Sequence, residues 1–171
     1  MIKVFLPLLF FSISLHAQEG RLIPNPLRNI PKWVRNDFFA QHLDERYTIN
    51  YQLSPHILSG DFNHDGRKDV AIQVSESKSG KTGFIIFHRR RPQALITHIA
   101  IIGAGKSVGK GGDDFKWVNI WDARQRSDIS DDAGNKALPA FDGAAIYVEK
   151  RDSTRGIIYW DGKKYSWYKL K

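Results

Sequence analysis

The sequence lacks cysteine, and it lacks an apolar run long enough to cross a membrane as a helix. Without cysteine, neither a disulfide nor a lipid-anchored lipoprotein is possible. A membrane-spanning helix needs about 20 apolar residues, whereas the longest apolar stretch, residues 4–11, is soon interrupted by Ser12, Ser14 and His16. The stability of the fold must therefore come from packing or from a bound ion.

The N-terminus has the pattern of a cleaved signal peptide. Lys3 precedes the apolar stretch, and small and polar residues then lead to Ala17. A charged start, an apolar centre and a small residue before the cut are the three parts of a secretory signal. We expect residues 1–17 to be a signal peptide. Residues 18–171 are then one domain of an exported, bacterial-type protein, located in the periplasm or outside the cell.

Positive charge prevails, with 26 Lys and Arg residues against 18 Asp and Glu, a formal net charge of +8. This balance favours anionic partners without naming one. The densest positive segment is Arg89, Arg90 and Arg91, which must meet solvent or an anion because three consecutive arginines cannot all be buried. A solvated loop tip and a docking site both agree with this pattern. We expect a glycan or a protein of the envelope or extracellular space as partner, and not a nucleic acid.

The hydrophobic pattern predicts one short helix followed by strands. After Pro31, Trp33, Val34, Phe38 and Leu43 recur at helical steps, which predicts a helix from Pro31 to about residue 42. The segments that follow have the alternation or β-branched content of strands, and they lie at residues 70–75, 84–87, 95–102, 116–122, 144–150, 155–160 and 164–170. Polar residues 123–139 are predicted as a long loop. The expected fold is a single α+β domain, mainly antiparallel β-sheet with a short N-terminal helix.

Residues 61–69 have the spacing of a calcium-binding loop. Oxygen-bearing side chains occupy loop positions 1, 3, 5 and 9, as Asp61, Asn63, Asp65 and Asp69, and Gly66 allows the turn. The carbonyl oxygen of Arg67 at position 7 would add another ligand, since calcium takes six to eight oxygens. Position 12 is Ile72 where an EF-hand has Glu, so the loop is not an EF-hand. The alternative is an Asp- and Gly-rich turn without an ion.

The loop, read as D-F-N-H-D-G-R-K-D followed by V-A-I-Q-V, resembles the calcium loop of FG-GAP and VCBS repeats. The resemblance covers about residues 57–74. It implies a structural calcium ion held by Asp61, Asn63, Asp65, the Arg67 carbonyl and Asp69, and it implies a role in adhesion-type recognition. A β-propeller needs at least about four blades of four strands. One loop in a chain of this length therefore cannot build a complete propeller.

Enzyme-like motifs are present but incomplete. Ser107 lies in a G-x-S-x-G pattern, and residues 100–107 match a loose phosphate-binding loop, but neither is followed by the helix that it requires. A hydrolase of this order also needs a His after the Ser, and His98 is the last His of the chain. Paired carboxylates could cleave glycosidic bonds. The candidate carboxylates form two clusters, one of Asp113 and Asp114 and one of Asp128, Asp131 and Asp132. No enzyme activity is assigned, and no catalytic residue is named.

The C-terminal hairpin carries aromatic and basic side chains on both faces. A two-residue turn at Asp161 and Gly162 would place Trp160 opposite Lys163 and Ile158 opposite Tyr165. One face must pack on the core, and the other either packs as well or stacks on sugars. The sequence thus favours an exported, calcium-stabilised binding module for a glycan or protein. The alternatives are an envelope-polymer hydrolase and an enzyme inhibitor that inserts the Gly-rich residues 103–112.

Overall fold

The structure describes four stretches of the chain. The computed structural model describes residues 26–94, 97–130, 138–151 and 153–171. The expected signal peptide, the first two residues of the strand predicted at 95–102, and Asp131 and Asp132 lie outside the described residues. Within these four stretches, no helix is long and apolar enough to cross a membrane.

The predicted helix is present near the start of the described chain. Helix α1 spans Lys32–Ala40 and follows Pro31, whose fixed φ and missing N–H suit this position. Val34 and Phe38 lie one turn apart and are buried, as the apolar spacing requires. The helix ends before residue 42 because His42 adopts a left-handed conformation, with φ of 54°. Thr97 Oγ1 donates a hydrogen bond of 2.6 Å to the Asp37 carboxylate and ties the helix to the sheet behind it.

The first sheet has five antiparallel strands. They are β1 (Tyr47–Ile49), β2 (Ile57–Gly60), β3 (Asp69–Glu76), β4 (Thr82–Phe87) and β5 (Ile99–Gly103). The central strand β3 pairs with both β1 and β2 along one edge and with β4 along the other, and β5 lies beyond β4. The hairpin predicted around residues 77–81 is confirmed as β3–β4, where the Glu76 carboxylate accepts a 2.7 Å hydrogen bond from the Ser79 amide.

The second sheet is a four-stranded antiparallel meander. Its strands are β6 (Ile120–Gln125), β7 (Ala144–Glu149), β8 (Arg155–Trp160) and β9 (Tyr165–Leu170), in that order. The expected loop over residues 123–139 begins later than predicted. Strand β6 continues through Gln125 because its pairing with β7 extends past Ala123 to Gln125, which lies opposite Ala144. A 3₁₀ turn follows at Arg126–Asp128.

The described elements pack in four layers. Ala71 and Phe84 from the first sheet meet Trp121, Ile146 and Ile158 from the second in one buried cluster. Helix α1 covers the outer face of the first sheet, where Val34 and Phe38 pack with Ile72 and Ile85. The chain around Ile129, Leu138 and Phe141 covers the outer face of the second sheet. The fold is therefore a single α+β domain, mainly antiparallel and not a β-propeller, with two sheets where the sequence pattern indicated one.

Candidate functional site

The calcium-type loop belongs to the first sheet and is hydrogen-bonded to the second sheet. It joins β2 to β3, whose ends pair at Gly60 and Asp69. The Asp61 carbonyl accepts a 2.7 Å hydrogen bond from the Ala144 amide, and the Phe62 carbonyl accepts one of 3.2 Å from the Tyr165 hydroxyl. The Phe62 ring is fully buried between the sheets. The conformation of the loop is thus coupled to β7 and β9.

Two carboxylates of the loop curl it by accepting hydrogen bonds from its own amides. Asp61 accepts from the Asp65 amide at 3.0 Å and from the Gly66 amide at 2.9 Å. Asp65 accepts from the Arg67 amide at 3.0 Å and from the Arg67 guanidinium at 3.1 Å. Gly66 has φ of 82°, which a Cβ would disfavour. Each carboxylate has about four lone-pair sites, so both retain acceptor capacity for a cation.

The side-chain oxygen of Asn63 accepts no hydrogen bond from the described residues. Its Oδ1 atom is buried and has no partner among the described residues. A buried amide oxygen without a partner costs roughly 1–3 kcal/mol. Three other buried polar atoms share this property, on Tyr47, Tyr51 and Gln73, but Asn63 alone among the four lies in the Asp-rich loop. The third loop position therefore has an oxygen whose bonding capacity remains unused.

Asp69, the predicted ligand at position 9, is already engaged in the protein interior. It is fully buried, and its carboxylate accepts hydrogen bonds from the Phe62 amide at 3.1 Å and the Arg89 amide at 2.8 Å. The third donor is the His88 ring, whose Nδ1 lies 3.1 Å from Asp69 Oδ2. Direct coordination by Asp69 would require part of this network to rearrange.

The predicted ligands do not converge as an acidic cluster. In the four described stretches, no three His, Asp or Glu side chains lie together as a group that could hold a metal ion. The loop instead holds Asp61, Asp65 and the Arg67 backbone in one hydrogen-bonded turn, and Asp69 bonds to the loop at the Phe62 amide. The oxygen donors and the unpartnered Asn63 Oδ1 agree with the preference of calcium for hard oxygen ligands.

His88 and Tyr165 are functional candidates that the sequence reasoning missed. The two rings stack with centroids 5.9 Å apart and planes 11° apart, and the Tyr165 hydroxyl lies 3.5 Å from His88 Nε2. Burial, with the nearby Asp69, Asp61 and Asp65 carboxylates, raises the pKa of Tyr165 far above its ordinary value. Tyr165 therefore stays a neutral hydroxyl. The β3–β4 hairpin could have indicated His88, because the register of its strands places residue 88 beside residue 69.

A basic surface lies next to the loop. The arginine ridge, as we call it, consists of Arg89, Arg90 and Arg91. These three residues are exposed, and they line two cavities. The loop-side cavity, of about 450 Å³, is lined by the ridge together with Asn63, Asp65, His88, His98, Trp160 and Tyr165. The outer cavity, of about 630 Å³, is lined by the ridge together with Trp33, Arg67, Lys68 and Pro92. The two cavities share the ridge and form one continuous surface.

The enzyme-like motifs have structural roles in the described chain. After Ser107 the chain enters a 3₁₀ turn at Gly109–Gly111, so neither motif is followed by the helix it requires. Asp113 forms an ion pair with Lys81, and Asp114 accepts a 3.0 Å hydrogen bond from the Thr82 amide. Both carboxylates therefore fix this segment against the start of β4.

A third cavity, of about 590 Å³, contains Asp142 and Asp161. Hydrogen bonds from the Lys164 amide, the Ser166 hydroxyl and the Lys163 amide hold the pKa of Asp161 below its ordinary value. A general acid needs the opposite shift. Asp161 is therefore not suited to the role of a general acid.

The chain was compared with protein-family models, with curated proteins and with solved structures. None of the three comparisons found a match.

Proposed function

We propose that the protein is an exported, calcium-stabilised binding module, whose loop at residues 61–69 holds one calcium ion and whose surface beside the loop binds a glycan or a protein. Its activity is recognition, and the ion has a structural role.

The observation that carries the proposal is the unpartnered Oδ1 atom of Asn63. Asn63 lies between Asp61 and Asp65 in a loop that already has the turn and the oxygen spacing of a calcium site. A calcium ion would give this oxygen a partner and would offset the repulsion between neighbouring carboxylates. Asp61, Asn63, Asp65 and the Arg67 carbonyl would hold it, and Asp69 would contribute after exchanging part of its present network.

Binding at this loop would stabilise the joint between the two sheets. The loop backbone bonds to Ala144 in β7 and to Tyr165 in β9, and the Phe62 ring fills the space between the sheets. An ion that binds only the folded state adds about 2.7 kcal/mol at one hundred times its dissociation constant. Extracellular sites of this type bind with dissociation constants of about 0.1–1 mM, which suits an exported protein.

The geometry gives less support to the two alternatives. An envelope-polymer hydrolase would need a pair of carboxylates with separated acid and base roles. Asp113 and Asp114 are engaged by Lys81 and by the Thr82 amide, and the lowered pKa of Asp161 does not suit a general acid. A loop-inserting inhibitor would need a protruding segment at residues 103–112. That segment folds back, because the Gly105 amide bonds to the Asp113 carbonyl and Gly111 lies against the Trp167 ring.

Thermal unfolding with and without calcium tests the proposal. With calcium at one hundred times its dissociation constant, the melting temperature should exceed that in EDTA by about 5–10 °C. The Asp65→Asn variant should lose most of this increase. Asp122→Asn is a matched control, because Asp122 also accepts a hydrogen bond from a neighbouring amide and pairs with an Arg two residues later. Equal melting temperatures in calcium and EDTA for the unaltered protein would refute the proposed site.

A further inference from the structure

The basic surface has more cationic than anionic side chains among the described residues that line it. Its cationic side chains are Arg67, Lys68, Arg89, Arg90 and Arg91. Among the described residues that line the two cavities, Asp65 is the one carboxylate, and it pairs with the Arg67 guanidinium at 3.1 Å. The arginine ridge and Lys68 are exposed. The surface is therefore electrostatically suited to an anionic ligand.

The surface contains two recesses that share Arg89, Arg90 and Arg91 in their linings. Volumes of about 450 and 630 Å³ lie in the range of small-molecule sites. The loop-side cavity also offers the aromatic side chains of Trp160 and Tyr165, which pack edge to face at 5.2 Å. Aromatic side chains combine an apolar face with a polar tip and are well suited to the ring of a sugar.

We infer that the basic surface binds an acidic polysaccharide, a chain of sugars that carry carboxylate groups. A guanidinium binds a carboxylate through two parallel hydrogen bonds, so the ridge would hold one acidic group while the sugars on either side occupy the two cavities. This inference rests on the proposed role as a binding module and makes that role specific. It does not depend on calcium.

The same geometry disfavours a single-stranded nucleic acid. Nucleic acids without sequence preference bind by stacking bases on free aromatic faces. Trp33 is the one aromatic side chain among the described residues that line the outer cavity, and the Arg89 guanidinium lies over its ring at 4.9 Å. A strand of stacked bases would therefore find few free aromatic faces along this surface, whereas an acidic group bound to the ridge needs none.

Calorimetric titration with three short oligomers tests the inference. The probes are an oligogalacturonate, a neutral malto-oligosaccharide of equal length and an oligothymidylate of equal charge, each measured in EDTA and in calcium. The oligogalacturonate should bind in both buffers and weaken as salt increases. The Arg90→Ala/Arg91→Ala variant should bind it at least about tenfold more weakly. The Lys106→Ala/Lys110→Ala variant, which removes two exposed charges that line neither cavity, should change the affinity less than about twofold.

The outcomes separate this inference from the calcium proposal. Binding in EDTA with loss in the ridge variant would support the inference even if calcium had no effect on unfolding. A charge reversal, Arg91→Glu, should weaken binding further than Arg91→Ala and guards against a folding defect in the double variant. Three results would overturn the inference: no binding of the oligogalacturonate, equal binding by the ridge variant, or tighter binding of the neutral or thymidylate oligomer.

Discussion

Replacing Asp69 with Asn should destabilise the protein strongly, even without calcium. Asp69 is fully buried and accepts three hydrogen bonds, from the Phe62 amide, the Arg89 amide and the His88 ring. An Asn side chain keeps one oxygen and turns an NH₂ group toward the remaining donors. One amide oxygen cannot accept from all three donors, and a buried donor that loses its charged acceptor costs about 1–3 kcal/mol or more.

With one or two of the three donors left without an acceptor, the expected loss for Asp69→Asn is about 2–5 kcal/mol in the free energy of unfolding, or about 4–20 °C in melting temperature. Urea unfolding in EDTA measures it without any contribution from a metal ion. Asp122→Asn, at an exposed carboxylate, should change the free energy of unfolding by less than about 0.5 kcal/mol. A loss below about 1 kcal/mol for Asp69→Asn would refute the view that this network holds the loop to the first sheet.

Two further predictions concern the β3–β4 hairpin and its neighbour β5. Hydrogen bonds from Ser79 hold the pKa of Glu76 below its ordinary value of 4.5. The stability that this gives is present above that value and is lost as the pH falls through the lowered pKa. Glu76→Gln should therefore remove part of the acid sensitivity seen in urea unfolding between about pH 6 and pH 3, and an unchanged pH profile would contradict this. A Cβ on Gly83 would collide with the backbone of β5, so Gly83→Ala should cost about 3 kcal/mol. Gly105 has a positive φ, but an added Cβ would meet no neighbouring atom there, so Gly105→Ala should lower the free energy of unfolding by only about 1 kcal/mol. Similar losses for the two variants in urea unfolding would contradict the packing argument.

Local patterns in the sequence predicted the local elements of the fold. Helix α1 and the β3–β4 hairpin follow from apolar spacing and a polar turn, and both are present. For the final hairpin, the sequence predicted correctly which residues share a face of the sheet, but it predicted a two-residue turn that the structure does not have. Trp160 pairs with Tyr165 because the Asp161 carboxylate accepts hydrogen bonds from the Lys163 and Lys164 amides and thereby builds a four-residue loop.

Features that join distant segments could not be predicted in the same way. The division into two sheets depends on contacts such as Phe84 with Trp121, whose rings stack at 5.4 Å. No local pattern encodes that contact. The ring stacking of His88 with Tyr165, and the position of the arginine ridge beside the loop, also need the tertiary fold. For the loop itself, the sequence predicted a curled turn at Gly66, and that turn is present. The use of its oxygens as metal ligands stays a prediction, and the sequence did not indicate that Asp69 is bonded to His88.

The central claim is that the loop at residues 61–69 binds one calcium ion through Asn63 and its neighbours. Its most direct test is calorimetric titration of calcium into the metal-free protein, beside the Asn63→Ala variant and a His64→Ala control at an exposed position of the same loop. We predict one ion per chain, with binding weakened about tenfold or more in Asn63→Ala and unchanged in His64→Ala. Absence of calcium binding, or equal binding by Asn63→Ala, would contradict the claim.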